Sequence, residues 1–149
     1  MGLFRIDCCI AGLRAATADE VVEALAARLL AAGLVHPTYA AATLARERVS
    51  PTGIPFAGRK AAIPHCDPEH VIAAGAAVCT LREPVGFRAM GDPDTILPVD
   101  VVVALALPDA AAAQGALVDL VERFQKAEYL EALCAATGAA ELHSLITGG

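Results

Sequence analysis

The sequence has no tryptophan and little aromatic content, with four phenylalanines and two tyrosines among its 149 residues. A hydrophobic core must therefore be built mainly from alanine, valine, leucine and isoleucine. Basic residues are also scarce, since 11 Lys and Arg stand against 17 Asp and Glu and the net charge is −6. Without a basic stripe, the chain is not expected to bind nucleic acid or an anionic membrane surface as its main partner.

The sequence also lacks a hydrophobic run long enough for a membrane. A membrane-spanning helix needs about 18 consecutive apolar residues, whereas the run Val101–Leu107 is seven residues long and lies between Asp100 and Pro108. Charges within Met1–Asp7 argue against a signal peptide. The five cysteines are odd in number and form no CxxC pair, which favours a reducing compartment over a disulfide framework. We therefore expect a cytoplasmic protein with no direct membrane insertion.

The remaining composition, 56% hydrophobic and 19% charged, is typical of a folded chain, and the length fits one domain over residues 1–149. The T-x-x-E box Thr17–Glu20 predicts the start of a helix that stops at Gly33. Helices are also predicted over 37–48, from 109 onward and in a short last segment that ends near 146. Strands are predicted at 76–81, 85–88 and 99–107. A loop is predicted at 50–60 and a turn at 91–94. This order, α-α-β-β-β-α-α, predicts a layered α/β domain with helices packed on a sheet.

Residues suited to chemistry concentrate between positions 58 and 71. His65 directly follows Pro64, whose fixed φ and missing N–H make the preceding backbone rigid and unable to pair normally inside a sheet. Taken alone, this histidine fits a surface loop. It also fits a metal site with Cys66, Asp67 and His70, although adjacent His and Cys side chains cannot easily face one ion.

Four motifs in a fixed order resemble the mannitol/fructose-type enzyme IIA domain of the bacterial sugar phosphotransferase system. In chain order they are Arg46–Glu47, Ser50–Gly53, Ala62–His65 and His70–Val71. The segment Pro64–Val71 is most similar to galactitol-type members, as are the motifs at 85–87, 90–91 and 99–107. The resemblance runs from about residue 18 to the carboxyl terminus.

This resemblance implies a function for His65. In the family, the matching histidine accepts a phosphoryl group from the phosphohistidine of the carrier HPr and passes it to a cysteine of a sugar-specific enzyme IIB, which serves the membrane enzyme IIC. It also implies a single α/β domain with a mixed sheet flanked by helices, and no metal or organic cofactor. A neutral imidazole is a competent nucleophile near pH 7.

Arg46 is the residue expected to assist His65. Phosphoryl transfer requires in-line positioning and hydrogen-bond donors around the equatorial oxygens, and a guanidinium offers a planar fork for such oxygens. Arg46 matches the arginine of the family's Arg–Glu pair. Arg59 and Lys60 are weaker candidates for the same role.

His70 is expected either to donate a hydrogen bond to the phosphoryl group or to orient His65, unless it is a solvated turn residue. Asp67 is expected to form an Asx turn rather than to set the tautomer of His65. Mannitol- and fructose-type members carry a second histidine where this chain has Ala113, followed by Gln114. Either His70 or Gln114 takes part of that role, or transfer is impaired.

Two other functions compete with a sugar phosphocarrier. The first is a regulatory protein of the nitrogen-related IIA type, in which phosphorylation of His65 controls a protein partner. The second is a metal hydrolase built on His65, Asp67 and His70. The sequence leaves the sugar unassigned beyond the similarity to galactitol-type members.

Overall fold

The computed structural model describes residues 3–148. Met1, Gly2 and Gly149 lie outside the described residues. Met1 and Gly2 belong to the segment whose charges argue against a signal peptide. The strands are β1 (Phe4–Leu13), β2 (Gly53–Ile54), β3 (Ala61–Ala62), β4 (Gly75–Ala89) and β5 (Asp92–Ala106). The helices are α1 (Ala18–Ala31), α2 (Tyr39–Val49), α3 (Ala110–Phe124), α4 (Ala127–Ala135) and α5 (Ala139–Gly148), with a short 3₁₀ helix at Pro68–His70.

A long antiparallel hairpin of β4 and β5 forms the centre of the sheet. Strand β1 runs parallel to β4 on one side, and β3 runs parallel to β5 on the other, with Ala62 opposite Val102. Strand β2 pairs antiparallel to β3 and also meets the end of β4, where Gly53 lies opposite Ala89. The sheet is therefore mixed, and the α/β architecture expected from the sequence is confirmed.

The helices cover both faces of this sheet and bury two hydrophobic clusters. One cluster lies on the face of α1 and α2 and includes Val102 and Ala104 of β5. The other lies on the face of α3, α4 and α5 and includes Val101, Val103 and Leu105. Successive residues of β5 thus enter opposite clusters, as expected for a central strand buried on both sides.

Local signals located the ends of α1 correctly. The hydroxyl of Thr17 accepts a hydrogen bond from the backbone N–H of Glu20, whose carboxylate accepts one from the N–H of Ala16. The bond from Glu20 to Thr17 is that of a capping box, whereas the carboxylate of Glu20 bonds one residue before the cap. After α1, Gly33 adopts a φ of 75°, a conformation that glycine reaches without strain.

Strand β1 was missed by the sequence analysis, and the predicted order lacking a first strand was wrong. Exposed charges at Arg5 and Asp7 interrupt its apolar pattern. Within residues 3–148, β1 is an edge strand that pairs with β4 on one side, and charged side chains are tolerated on such an edge. Its stability comes from a partner far away in the chain, which a local pattern does not reveal.

Other differences concern the middle and the end of the chain. The two strands predicted at 76–81 and 85–88 are one strand, β4, with a register shift between Thr80 and Val85. The connecting turn lies at Met90–Gly91, before the predicted 91–94, and Gly91 has a φ of 76°. The two-residue strand β2 lies inside the predicted loop. The helical last third contains a break between α3 and α4.

Among residues 3–148, no helix is both long and apolar enough to cross a membrane.

Candidate functional site

His65 lies just beyond the carboxyl end of β3, in an extended segment that leads into the 3₁₀ helix. Pro64 ends regular pairing of β3, as expected, but its carbonyl still accepts a hydrogen bond from the N–H of Leu105 at 3.0 Å. The backbone immediately before His65 is therefore held by the proline ring and by β5 together.

The imidazole of His65 is half-buried, and one of its nitrogens is occupied. Nδ1 lies 2.9 Å from the carbonyl oxygen of Ile63. Because a carbonyl can only accept a hydrogen bond, the neutral ring carries its proton on Nδ1 and its free lone pair on Nε2. The arrangement presents Nε2 as the nucleophilic atom.

The surroundings of the ring favour its neutral form. Burial lowers the pKa of His65 from its ordinary value of 6.5, the bond to the Ile63 carbonyl raises it, and the positive charge of Arg46 lowers it. The carboxylate of Asp67 opposes Arg46 with a smaller effect, and the pKa stays below 6.5. At neutral pH the ring is therefore uncharged and able to act as a nucleophile.

Arg46 reaches the same loop from the last turn of α2. Its Nη1 lies 3.5 Å from Oδ1 of Asp67, and the two side chains are 42% and 70% exposed. This distance is too long for a good hydrogen bond. Arg46 is thus close to the histidine loop without being firmly bound there.

Asp67 does not form the expected Asx turn, because its side chain makes no capping hydrogen bond to the 3₁₀ helix. That short helix is closed by the backbone, with the N–H of His70 bonded to the carbonyl of Asp67 at 3.3 Å. The tautomer of His65 is set by the carbonyl of Ile63 and not by Asp67.

His70 is directed towards the connection between α1 and α2. Its Nδ1 lies 2.8 Å from Oγ1 of Thr38, and its carbonyl accepts a hydrogen bond from the N–H of His36. Among the described residues, no hydrogen bond joins His70 to His65. The structure therefore brings Arg46 to the histidine loop and ties His70 to the neighbouring helix connection.

The four side chains considered as metal ligands do not converge. Within residues 3–148 there is no group of three or more His, Cys, Asp and Glu side chains placed to hold an ion. Burial raises the pKa of Cys66, so its thiol stays protonated at neutral pH. This donor set does not support a metal hydrolase.

Comparison with known proteins places this geometry in a family. A family model described as "Phosphoenolpyruvate-dependent sugar phosphotransferase system, EIIA 2" matches residues 2–148. The galactitol-specific EIIA component of Escherichia coli K12 is 33% identical over 117 residues, which cover 77% of this chain and 76% of that protein. The chain belongs to the EIIA 2 family. As an EIIA protein it is a component of the phosphotransferase system, and the resemblance seen in its motifs is confirmed.

Solved structures agree with this EIIA assignment. The complex of enzyme IIAMTL and phosphorylated enzyme IIBMTL from Escherichia coli matches with a TM-score of 0.77 and 26% identity, covering 99% of this chain and 100% of that one. The nitrogen regulatory protein IIA-Ntr of Neisseria meningitidis matches with a TM-score of 0.74 and 23% identity, covering 97% and 96%. At that identity the second likeness shows the fold alone.

Ala113 lies near the start of α3 in this EIIA protein. The helix is capped by the carboxylate of Asp109, which accepts a hydrogen bond from the N–H of Ala112 at 2.7 Å. Ala113 is half-buried and Gln114 is exposed. A methyl group at position 113 offers no hydrogen bond to a phosphoryl group.

Two residues beneath the EIIA histidine loop were given no role by the sequence analysis. Both carboxylate oxygens of Glu47 accept hydrogen bonds from Thr52, one from its N–H and one from its hydroxyl, each at 2.9 Å. The Thr52 hydroxyl in turn accepts one from the N–H of Ile63 at 3.0 Å. The only signal in the sequence was that both residues fall inside the motifs that carry the family resemblance.

Proposed function

We propose that this EIIA protein accepts a phosphoryl group from phospho-HPr on Nε2 of His65 and passes it to a cysteine of a sugar-specific enzyme IIB. The proposal rests mainly on one observation, the bond from Nδ1 of His65 to the carbonyl of Ile63. That bond keeps the ring proton on Nδ1 and leaves the lone pair of Nε2 free for attack on phosphorus.

The transfer balances without an added proton or cofactor. Nε2 forms a bond to phosphorus while the bond from phosphorus to the HPr histidine breaks, and the released electron pair stays on the HPr ring. The His65 ring then carries a positive charge, which the carbonyl of Ile63 stabilises through Nδ1–H. In the second step the IIB thiolate attacks phosphorus, and the electron pair of the broken N–P bond returns to Nε2.

Arg46 and His70 complete the proposed site. The exposed guanidinium of Arg46 needs to leave only a long contact with Asp67 in order to bind the equatorial oxygens of the phosphoryl group. For His70 we favour the orienting role over direct contact with phosphate. Its hydrogen bond to Thr38 anchors the 3₁₀ helix that follows the active histidine.

Membership of the family supports a proposal for the partners and the cellular compartment. We propose that residues 1–149 form one IIA domain in the cytoplasm, that HPr and IIB dock on it in turn, and that IIB serves a membrane enzyme IIC. The similarity to galactitol-specific EIIA components supports galactitol or another polyol as the transported substrate. The five cysteines are free, which fits a reducing compartment.

Phosphorylation from labelled phosphoenolpyruvate, enzyme I and HPr tests the proposal. The wild-type protein should acquire a label that is stable to alkali and lost in acid, as expected for a phosphohistidine. The variant His65→Ala should acquire none, while His36→Ala, which removes an exposed histidine, should be labelled like wild type. Absence of labelling with several competent HPr proteins would refute the proposal.

A second reaction separates a carrier from a nitrogen-type regulator. Purified phospho-protein is mixed with a galactitol-type IIB, and loss of label from His65 is followed together with its appearance on the IIB cysteine. Rapid transfer supports the sugar carrier. A label that stays on His65 with each polyol-type IIB would favour the regulatory alternative.

A further inference from the structure

A chain of hydrogen bonds runs from helix α2 to the ring of His65. It begins at the carboxylate of Glu47, passes through the hydroxyl of Thr52 to the N–H of Ile63, and continues from the carbonyl of Ile63 to Nδ1 of His65. The three hydrogen bonds measure 2.9, 3.0 and 2.9 Å in this order. All are within the normal range for hydrogen bonds.

Burial raises the pKa of Glu47 and its hydrogen bonds from Thr52 lower it; with Glu47 ionised, the direction of each hydrogen bond in this chain is determined. A hydroxyl has a single proton, and the carboxylate of Glu47 can only accept, so Thr52 donates its proton to Glu47. The oxygen of Thr52 is then free to accept from the N–H of Ile63, which is what the geometry shows. If another group replaced the carboxylate of Glu47, the Thr52 hydroxyl could rotate, and the N–H of Ile63 would lose its hydrogen bond.

The middle of the chain is fully enclosed. Thr52 is 3% exposed and Ile63 is 0% exposed, so water does not replace a lost partner at either residue. An unsatisfied buried N–H is costly, and the segment would have to move to find another acceptor. The Ile63 carbonyl would move with it, because the N–H and the carbonyl of Ile63 are attached to the same Cα atom.

We propose that Glu47 and Thr52 are positioning residues, which hold the Ile63 carbonyl where it receives the proton on Nδ1 of His65. Neither residue touches the phosphoryl group. Their effect is to keep Nε2 unprotonated in the neutral ring, whereas a histidine free in water prefers its proton on Nε2. The kinetic consequence rests on the proposed function, but the choice of tautomer does not.

Thr80 provides a matched control for Thr52. It is also 3% exposed, and its hydroxyl also accepts a hydrogen bond from a backbone N–H, that of Gly12 at 2.9 Å. Substitution of either threonine by valine removes the same buried hydroxyl, but the N–H of Gly12 belongs to an exposed residue and the N–H of Ile63 to a fully buried one. Only Thr52 is connected to His65.

The experiment measures the ring tautomer by ¹⁵N NMR in the unphosphorylated protein, above the pKa of His65. Wild type and Thr80→Val should show the proton on Nδ1, and Thr52→Val should show a mixture with the Nε2–H form. Thr52→Ser keeps the hydroxyl and should restore the wild-type spectrum. In phosphorylation from HPr, Thr52→Val should be slower than Thr80→Val by about tenfold, a loss typical of a modest misplacement of a reacting group.

Glu47→Gln gives a second test if Thr52→Val does not fold. The amide has one acceptor oxygen for the two donors of Thr52, so the same spectral change is expected to a smaller extent. The proposal is overturned if both variants keep the wild-type tautomer, or if Thr80→Val alters it equally. If wild type is not phosphorylated at all, the proposed function fails while the spectra still decide the role of Glu47 and Thr52.

Discussion

Arg46 and Arg59 both lie within about twenty residues of His65 in the sequence, but the structure holds them differently. Arg59 forms a two-pronged contact with Glu131, from Nε at 3.0 Å and from Nη2 at 2.7 Å. Arg46 has one contact of 3.5 Å with Asp67. A guanidinium that forms two hydrogen bonds to one carboxylate is held in place by the fold, whereas one with a single long contact can rearrange around a ligand.

This contrast separates two uses of the same side chain. The pair of Arg59 and Glu131 joins the loop before β3 to α4, and a further contact of 3.4 Å reaches Asp100 in β5. It therefore supports the frame on which the histidine segment is built. Arg46 lies beside the histidine segment itself, close enough for its charge to lower the pKa of His65.

The largest effect is expected from Arg46→Gln. Loss of its donors to the phosphoryl oxygens should lower the rate of phosphorylation by HPr about a hundredfold, the size typical for removal of one stabilising donor. The matched variant Arg59→Gln should leave this rate unchanged and lower the free energy of unfolding by about 1 to 3 kcal/mol, because it removes the cation beside Asp100, which is only 9% exposed. Rapid-quench labelling and denaturant unfolding measure the two. Equal slowing in both variants would contradict the comparison.

An intermediate effect is expected at His70. His70→Ala removes the bond to Thr38, loosens the turn after His65 and should slow phosphorylation about tenfold. His70→Asn places an amide nitrogen where Nδ1 lies and should recover most of the rate. If His70→Asn is as slow as His70→Ala, Nε2 of His70 binds the phosphoryl group directly and the orienting role is wrong.

The smallest effect is a change in the pKa of His65. Because Arg46 lowers this pKa and Asp67 raises it, Arg46→Gln should shift it upward and Asp67→Asn downward. Arg59→Gln should leave it in place. A pH titration of the His65 ring by NMR gives all three values, and a shift with Arg59→Gln alone would reverse the assignment of the two arginines.

The lowered pKa of His65 also has a consequence for stability. Since the folded-state pKa lies below 6.5, the unfolded chain binds more protons at mildly acidic pH. The stability contributed by this site is complete above pH 6.5 and is lost as the pH falls towards the folded-state pKa. His65→Gln should flatten the pH dependence of unfolding in that window, as measured by denaturant titration.

Much of the fold was predictable where neighbouring residues determine the structure. The capping box at Thr17–Glu20, the glycine after α1 and the apolar run of β5 depend on contacts within a few residues or on a simple pattern of burial. Strand β1 and the short strands β2 and β3 were not predictable in this way. Their hydrogen bonds are made to strands distant in sequence, and they contain too few residues or too many charges to show a period.

The candidate site divides along the same line. The sequence by itself determined that a proline mounts His65, because the fixed φ of Pro64 is a covalent property, and its motifs were enough to identify the family. The family resemblance already favoured Arg46 over Arg59, but only the tertiary structure decided which carbonyl sets the tautomer of His65 and which buried pair supports that carbonyl. These contacts join α2, β3 and β5. They form only when hydrophobic burial packs these elements against one another.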